Sequence, residues 1–173
     1  MKNYIIFISA ALVTLASCNT SKTGSNSADT LAAAQTTHEA LAEDSLIATL
    51  KVKDTIKAGE PVELKFTIYN RTDSARKFCK WHTPFEPPLS KYVDIKDEQG
   101  NEVNYIGAMA KRIMPPPAES YINVNAGDST SATADLLKSY AIEKPAKYTI
   151  VYNSKGVSGV VVKDSVSFVY IAK

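Results

Sequence analysis

Val62-Glu63-Leu64-Lys65-Phe66-Thr67-Ile68-Tyr69-Asn70 alternates apolar and polar side chains along its length. A period of two places Val62, Leu64, Phe66 and Ile68 on one face and Glu63, Lys65, Thr67 and Tyr69 on the other, which predicts a strand with one face in a core and one in water. Just upstream, residues 45–52 predict a shorter strand. Between the two, Lys57-Ala58-Gly59-Glu60-Pro61 predicts a turn, with Gly free to take positive φ and Pro at a strand edge. Downstream, residues 92–96 lead through Asp97-Glu98-Gln99-Gly100-Asn101 into residues 102–106, a hairpin pattern. Further strands fit residues 121–124, 129–136, 148–153 and 160–171. Short strands at even spacing, with no long helical period, predict an all-β protein, an antiparallel β-sandwich of about 7–9 strands. Tyr148, just after the turn Lys144-Pro145-Ala146-Lys147, stands where a tyrosine corner closes the chain on its own backbone.

The N-terminus reads differently. Lys2, the apolar run from Tyr4 to Val13 and the tetrapeptide Leu15-Ala16-Ser17-Cys18 have the form of a bacterial lipoprotein signal. The run is shorter than the roughly 20 residues that cross a bilayer, so it is expected to be cleaved. Cys18 then becomes the first residue and carries the lipid, each buried methylene contributing about 0.8 kcal/mol. Asn19 is not the Asp that retains enterobacterial lipoproteins at the inner membrane, so the expected address is the outer membrane, facing the periplasm. Residues 19–44 are rich in Ser, Thr, Asn, Ala and Gln and bury too little apolar surface to fold, which predicts a tether. The expected organisation is a signal over 1–17, a lipidated start and tether over 18–44, and a folded domain over 45–173.

The chain has 173 residues and a formal charge of +2, with its charges interleaved. That pattern describes a solvated surface and implies no nucleic-acid partner. Of two cysteines, Cys18 is committed to lipid, leaving Cys79 without an intramolecular partner and excluding a disulfide framework. His38 falls in the tether. His82 and Glu86 are four residues apart, a spacing open to metal ligation, but prolines around them predict a loop and not a helix face. No His-Glu-x-x-His, paired cysteines or Gly-rich phosphate loop is present. No catalytic residue, metal or cofactor is therefore expected.

Two clusters remain. Phe78-Cys79-Lys80-Trp81-His82-Thr83-Pro84-Phe85-Glu86-Pro87-Pro88 holds the one Trp, read as a core anchor on a central strand before a proline-fixed loop. Lys111-Arg112-Ile113-Met114-Pro115-Pro116-Pro117 sets two cations beside an extended proline stretch, which serves either as a recognition edge or as a stiff crossover between sheets. Trp81, His82, Pro84, Glu86, Lys111 and Arg112 are the candidate partner-binding or structural residues.

These clusters resemble the N-terminal Ig-like accessory domain of deuterolysin-type, peptidyl-Lys metalloendopeptidases. The likeness is carried by Lys80-Trp81-His82-Thr83-Pro84-Phe85-Glu86, Asn104-Tyr105-Ile106-Gly107, Lys111-Arg112 with Pro115, Tyr121, Ala126-Gly127-Asp128-Ser129 with Ala132, Asp135-Leu136, Tyr140 and Tyr148-Thr149-Ile150-Val151-Tyr152, in the family's order and at similar spacing. Pro145-Ala146-Lys147 departs from the family's Gly-containing turn. The resemblance implies an Ig-like fold and a history beside proteases. The family's zinc site lies in a separate C-terminal domain with no counterpart before Lys173, so no catalytic residue is carried over. The leading expectation is a non-catalytic, membrane-anchored lipoprotein that binds an envelope protein through its loops or an exposed sheet edge. The alternatives are a proteinase inhibitor of Ig-like fold, and a protease-associated subunit or zinc-dependent peptidase.

Overall fold

The computed structural model describes residues 46–173. The lipobox with Cys18, the tether and His38 lie outside the described residues. Among the described residues ten strands form two four-stranded sheets and a separate two-stranded ribbon. The alternating segment is β3 (Glu63–Tyr69). It pairs antiparallel with β1 (Ile47–Lys51) on one side and with β7 (Ser129–Asp135) on the other. β9 (Val161–Val162) completes this sheet in the order β7-β3-β1-β9. The facing sheet runs β2-β10-β8-β5, built from Thr55–Lys57, Val166–Ile171, Ala146–Tyr152 and Val93–Asp97. Leu64, Phe66 and Ile68 from the first sheet, and Ile95, Ile150 and Phe168 from the second, are almost wholly buried. Burying a Phe or Leu side chain contributes about 1.5–3 kcal/mol, so these alternating positions supply the main cohesion between the sheets.

Three features depart from the sequence pattern. The sandwich is not purely antiparallel, because β1 runs parallel to β9 and β2 parallel to β10. The cause is local: the chain leaves one sheet after Lys51, turns through Val52, Lys53 and Asp54, and enters the other at Thr55, so one N-terminal run serves both layers. The expected single strand over 160–171 is likewise divided between the sheets, as β9 and β10. The 97–101 hairpin turn forms, with Gly100 at φ 84° and Asp97 Oδ1 accepting from the Gln99 and Asn101 amides. Its return arm makes only isolated bridges, Lys96 to Glu102 and Tyr105 to Tyr140, before running off as a loop.

The connections between β3 and β5 and between β5 and β7 are long. Each contributes one strand to the ribbon, β4 (Arg76–Cys79) and β6 (Tyr121–Val124). Asn70 ties this ribbon to the sandwich. It is buried, its Nδ2 lies 2.8–3.0 Å from the carbonyls of Ser74, Val124 and Asn125, and its Oδ1 accepts from the amide and hydroxyl of Thr72. At the far end Tyr148 Oη donates to Lys144 O at 2.8 Å, closing the turn before β8.

Candidate functional site

Trp81 is buried, but it does not stand on a central strand; it opens the turn that follows β4 in the outlying ribbon. Strands are ended here by chemistry readable in order. Lys80 N makes a last ladder bond to Ser120 O, and His82 takes φ 57°, a left-handed conformation that bends the chain away. Thr83 Oγ1 donates to Lys80 O at 2.5 Å and accepts from Phe85 N at 3.2 Å, folding the segment into a tight turn. Pro84 is buried beside it.

Glu86 holds this turn to the 105–117 loop. Its Oε1 accepts from His82 N at 2.9 Å and from Ser90 Oγ at 3.0 Å, while its Oε2 accepts from Arg112 Nη2 at 2.6 Å. The Glu86 side chain is 4% exposed and the Arg112 side chain 20%. The Arg112 guanidinium lies 4.6 Å from the Trp81 ring centroid, a cation–π contact. Trp81, Glu86 and Arg112, 31 positions apart at their extremes in sequence, thus form one unit in which the cation is stacked and paired at once. His82 contributes backbone: its amide meets Glu86 and its carbonyl accepts from Tyr152 Oη at 3.2 Å. The His82–Glu86 spacing is therefore used for a turn, and among the described residues no cluster of three or more His, Cys, Asp or Glu side chains is placed to hold a metal. Lys111 is exposed and stands outside the unit. Cys79 is buried, and burial pushes its thiol above the usual range, followed by the Glu86 charge; this is the opposite of nucleophile activation.

The loop anchored by Arg112 has an unusual surface. Ile106, Met109, Ile113 and Met114 are 61–84% exposed, and the remaining large exposed apolar residues among those described are Val151 and Val169 on strands. Four such side chains within nine positions are held out on a fixed frame. Ile106 N donates to Ser139 O, Ala110 N donates to Leu89 O, and Tyr105 Oη reaches Ala108 O at 2.8 Å and Pro88 O at 3.3 Å. Gly107 is required by proximity, since a Cβ there would sit 2.5 Å from Tyr105 Oη. Sequence reading singled out Lys111 and Arg112 but passed over Met109. The 102–106 hairpin pattern takes in Ile106; the available signal was Met109, Ile113 and Met114, large apolar residues outside any alternating pattern.

A family model for the immunoglobulin-like domain matches residues 49–162. The chain belongs to that family. It is also similar to an uncharacterized secreted protein of Arthroderma benhamiae, 31% identical over 104 residues, which cover 57% of this chain and 53% of that protein. The chain thus spans about half the length of that relative. Two solved structures also resemble it. An alkylpurine DNA glycosylase of Pseudomonas fluorescens, bound to DNA with an abasic-site analog, is 16% identical with TM-score 0.35, the match covering 73% of this chain and 29% of that one. A β-glucosidase of Listeria innocua in complex with gluconolactone is 14% identical with TM-score 0.34, covering 73% and 16%.

Proposed function

We propose that this immunoglobulin-like chain is a non-catalytic binding module, tethered to the envelope by lipid on Cys18, that docks a protein partner through its 105–117 loop. The observation carrying this reading is the clustering of Ile106, Met109, Ile113 and Met114 as exposed side chains on one braced loop. Contiguous exposed apolar surface is costly in water and marks interaction sites more often than single exposed residues do. Methionine adapts to the shape it meets, and a framed loop loses little conformational entropy on binding. The Glu86–Arg112–Trp81 unit is the brace. Its residues are among those that carry the resemblance to the accessory domains of peptidyl-Lys metalloendopeptidases, and on that resemblance an envelope protease is the first partner class to test. The chain itself supplies binding and no hydrolysis.

The test is crosslinking and affinity capture from detergent-solubilised envelope, comparing the native chain with a Met109→Ser/Ile113→Ser variant. One stoichiometric partner held by the native chain and released by the variant, with the unfolding midpoint unchanged, supports the reading. Equal capture by both forms, or no partner for either, refutes it.

A further inference from the structure

β7 is the one long strand whose outer edge stays open among the described residues. The three other terminal strands of the four-stranded sheets differ: β9 has two residues, β2 has three, and β5 is partly covered by Glu102 and by Val103, whose amide donates to Ile95 O, while the ribbon strands β4 and β6 have four residues each. β7 pairs with β3 over seven uninterrupted positions. Asn70 N donates to Asp128 O and Leu136 N to Val62 O. That phase turns the backbone of even-numbered residues toward β3 and leaves the N–H and C=O groups of Ser129, Ser131 and Thr133 directed outward. Natural edge strands are blunted by Lys, Pro, bulges or brevity, and β7 has none of these.

The two faces of this edge differ in chemistry. On the inner side Ala132 and Ala134 are small and half-buried, and a cavity of about 220 Å³ opens beside Ala134, with Pro84, Pro87, Pro88 and Tyr92 on one wall and Asp135, Lys138 and Ser139 among its polar lining. On the outer side Thr133 lies in register with Lys65, which lies in register with Lys51. Like charges directly opposite on a sheet destabilise it. Lys53 beside them is engaged by Glu60, and Glu63 is the one acid in the hollow lined by Lys51, Lys53, Lys65 and Thr133.

We infer that the β7 edge takes an extended segment of a partner protein as a fifth strand, with acidic side chains on the outer face and apolar ones on the inner face. Backbone pairing supplies affinity, and alternate side chains supply selectivity. An acid opposite Thr133 stands two strand spacings, about 10 Å, from the Lys65 backbone, a gap that a Glu and a Lys side chain together span. Its apolar neighbour faces the slot left by Ala132 and Ala134 and enters the proline-walled cavity. This deepens the proposed binding role, on which it rests, by giving the partner's segment a chemistry.

The test measures fluorescence anisotropy of a labelled peptide of alternating Glu and Val, added to the full chain in detergent. Saturable binding is expected, with a Lys-for-Glu peptide at least about tenfold weaker and the interaction weakened by salt. N-methylation of all Glu amides or of all Val amides removes the bonds to β7, so at least one of these peptides loses about tenfold or more. Ser131→Pro abolishes binding without removing a backbone bond to β3, since the lost N–H faces outward; it gives up the exposed Ser131 Oγ to Thr67 Oγ1 hydrogen bond, which Ser131→Ala removes alone as the control. Lys65→Glu weakens binding about fivefold. Binding of both methylated peptides as tight as the parent's, no binding of the parent peptide, or self-association of the chain that Ser131→Pro dissolves would each overturn the proposal. Peptide binding with no partner captured through the 105–117 loop overturns the loop reading alone.

Discussion

Replacing Glu86 by Gln keeps the shape of the brace and removes its charge. Whichever way the amide is turned, at least one of the donors now bound to Glu86 loses its acceptor, because the NH2 group then faces either Arg112 or the His82 amide. A hydrogen bond to a charged group contributes about 1.5–3 kcal/mol, and leaving a buried charge without its partner costs about 3–5 kcal/mol. Arg112 keeps 20% of its side chain in solvent and its contact with Trp81, which lowers that penalty. The expected loss is about 2–3 kcal/mol, or about 6–15 °C in Tm for a domain of this size. Arg112→Gln should cost more, about 3–4 kcal/mol, because the carboxylate it abandons is 4% exposed. The double variant should cost less than the sum by at least about 1 kcal/mol, the mark of a directly coupled pair. Urea unfolding followed by Trp81 fluorescence reads all three from one site, since the chain has a single Trp. A control sits on the surface: Lys53–Glu60 is a pair with side chains 71% and 44% exposed, and Lys53→Ala should shift stability by less than about 0.5 kcal/mol. If Glu86→Gln behaves like that control, or the coupling is zero, Glu86 does not hold the loop and the argument built on the brace fails.

Asn70→Ala strips five hydrogen-bond contacts from a buried position and is expected to cost about 2–4 kcal/mol in urea unfolding; a cost under about 1 kcal/mol would mean the ribbon is held by other contacts. Tyr148→Phe loses the bond to Lys144 O and should cost about 1 kcal/mol with no change in the circular-dichroism spectrum. Alkaline pH offers a third test. Burial pushes Tyr140 and Tyr152 up to about 12 and moves Tyr92 upward as well. Raised folded values contribute stability that is complete below the unfolded value of 10 and is lost as pH rises through the folded one. Absorbance at 295 nm should therefore show these rings ionising only as the fold is lost between about pH 10 and 12, and a single early transition with native circular dichroism would contradict their burial. At the acid end Asp94 contributes with the opposite sign. Burial pushes its carboxyl up, but hydrogen bonds from Lys91 and Asn153 outweigh this and hold it below the usual range. Its contribution is present above the unfolded value and lost as pH falls through the folded one, so Asp94→Asn should flatten the acid limb of the stability profile.

The sandwich was legible where a strand has one wet face. β3 announces itself because each inward position is Val, Leu, Phe or Ile and each outward one is polar or amphipathic, and the same alternation located β1, β5, β6, β7 and β8 within a residue or two. Alternation says nothing about which sheet a strand joins. The parallel pairings of β2 and β9 depend on where the chain crosses between layers, and a three-residue crossing leaves no periodic signature. The brace was legible only in part. Trp81, Glu86 and Arg112 could each be marked as chemically conspicuous, but their meeting depends on two long connections being drawn together by β4 and β6 and locked by Asn70, a residue that local sequence presents as an ordinary strand end. The same geometry explains why β7 is exposed. β6, the strand that precedes β7, pairs with β4 in the outlying ribbon and not with β7. One event of strand pairing therefore both raises the apolar loop on its brace and uncovers the edge beside it. Variants that weaken the ribbon, Asn70→Ala first among them, should impair loop docking and edge binding together, whereas Met109→Ser and Ser131→Pro should separate them.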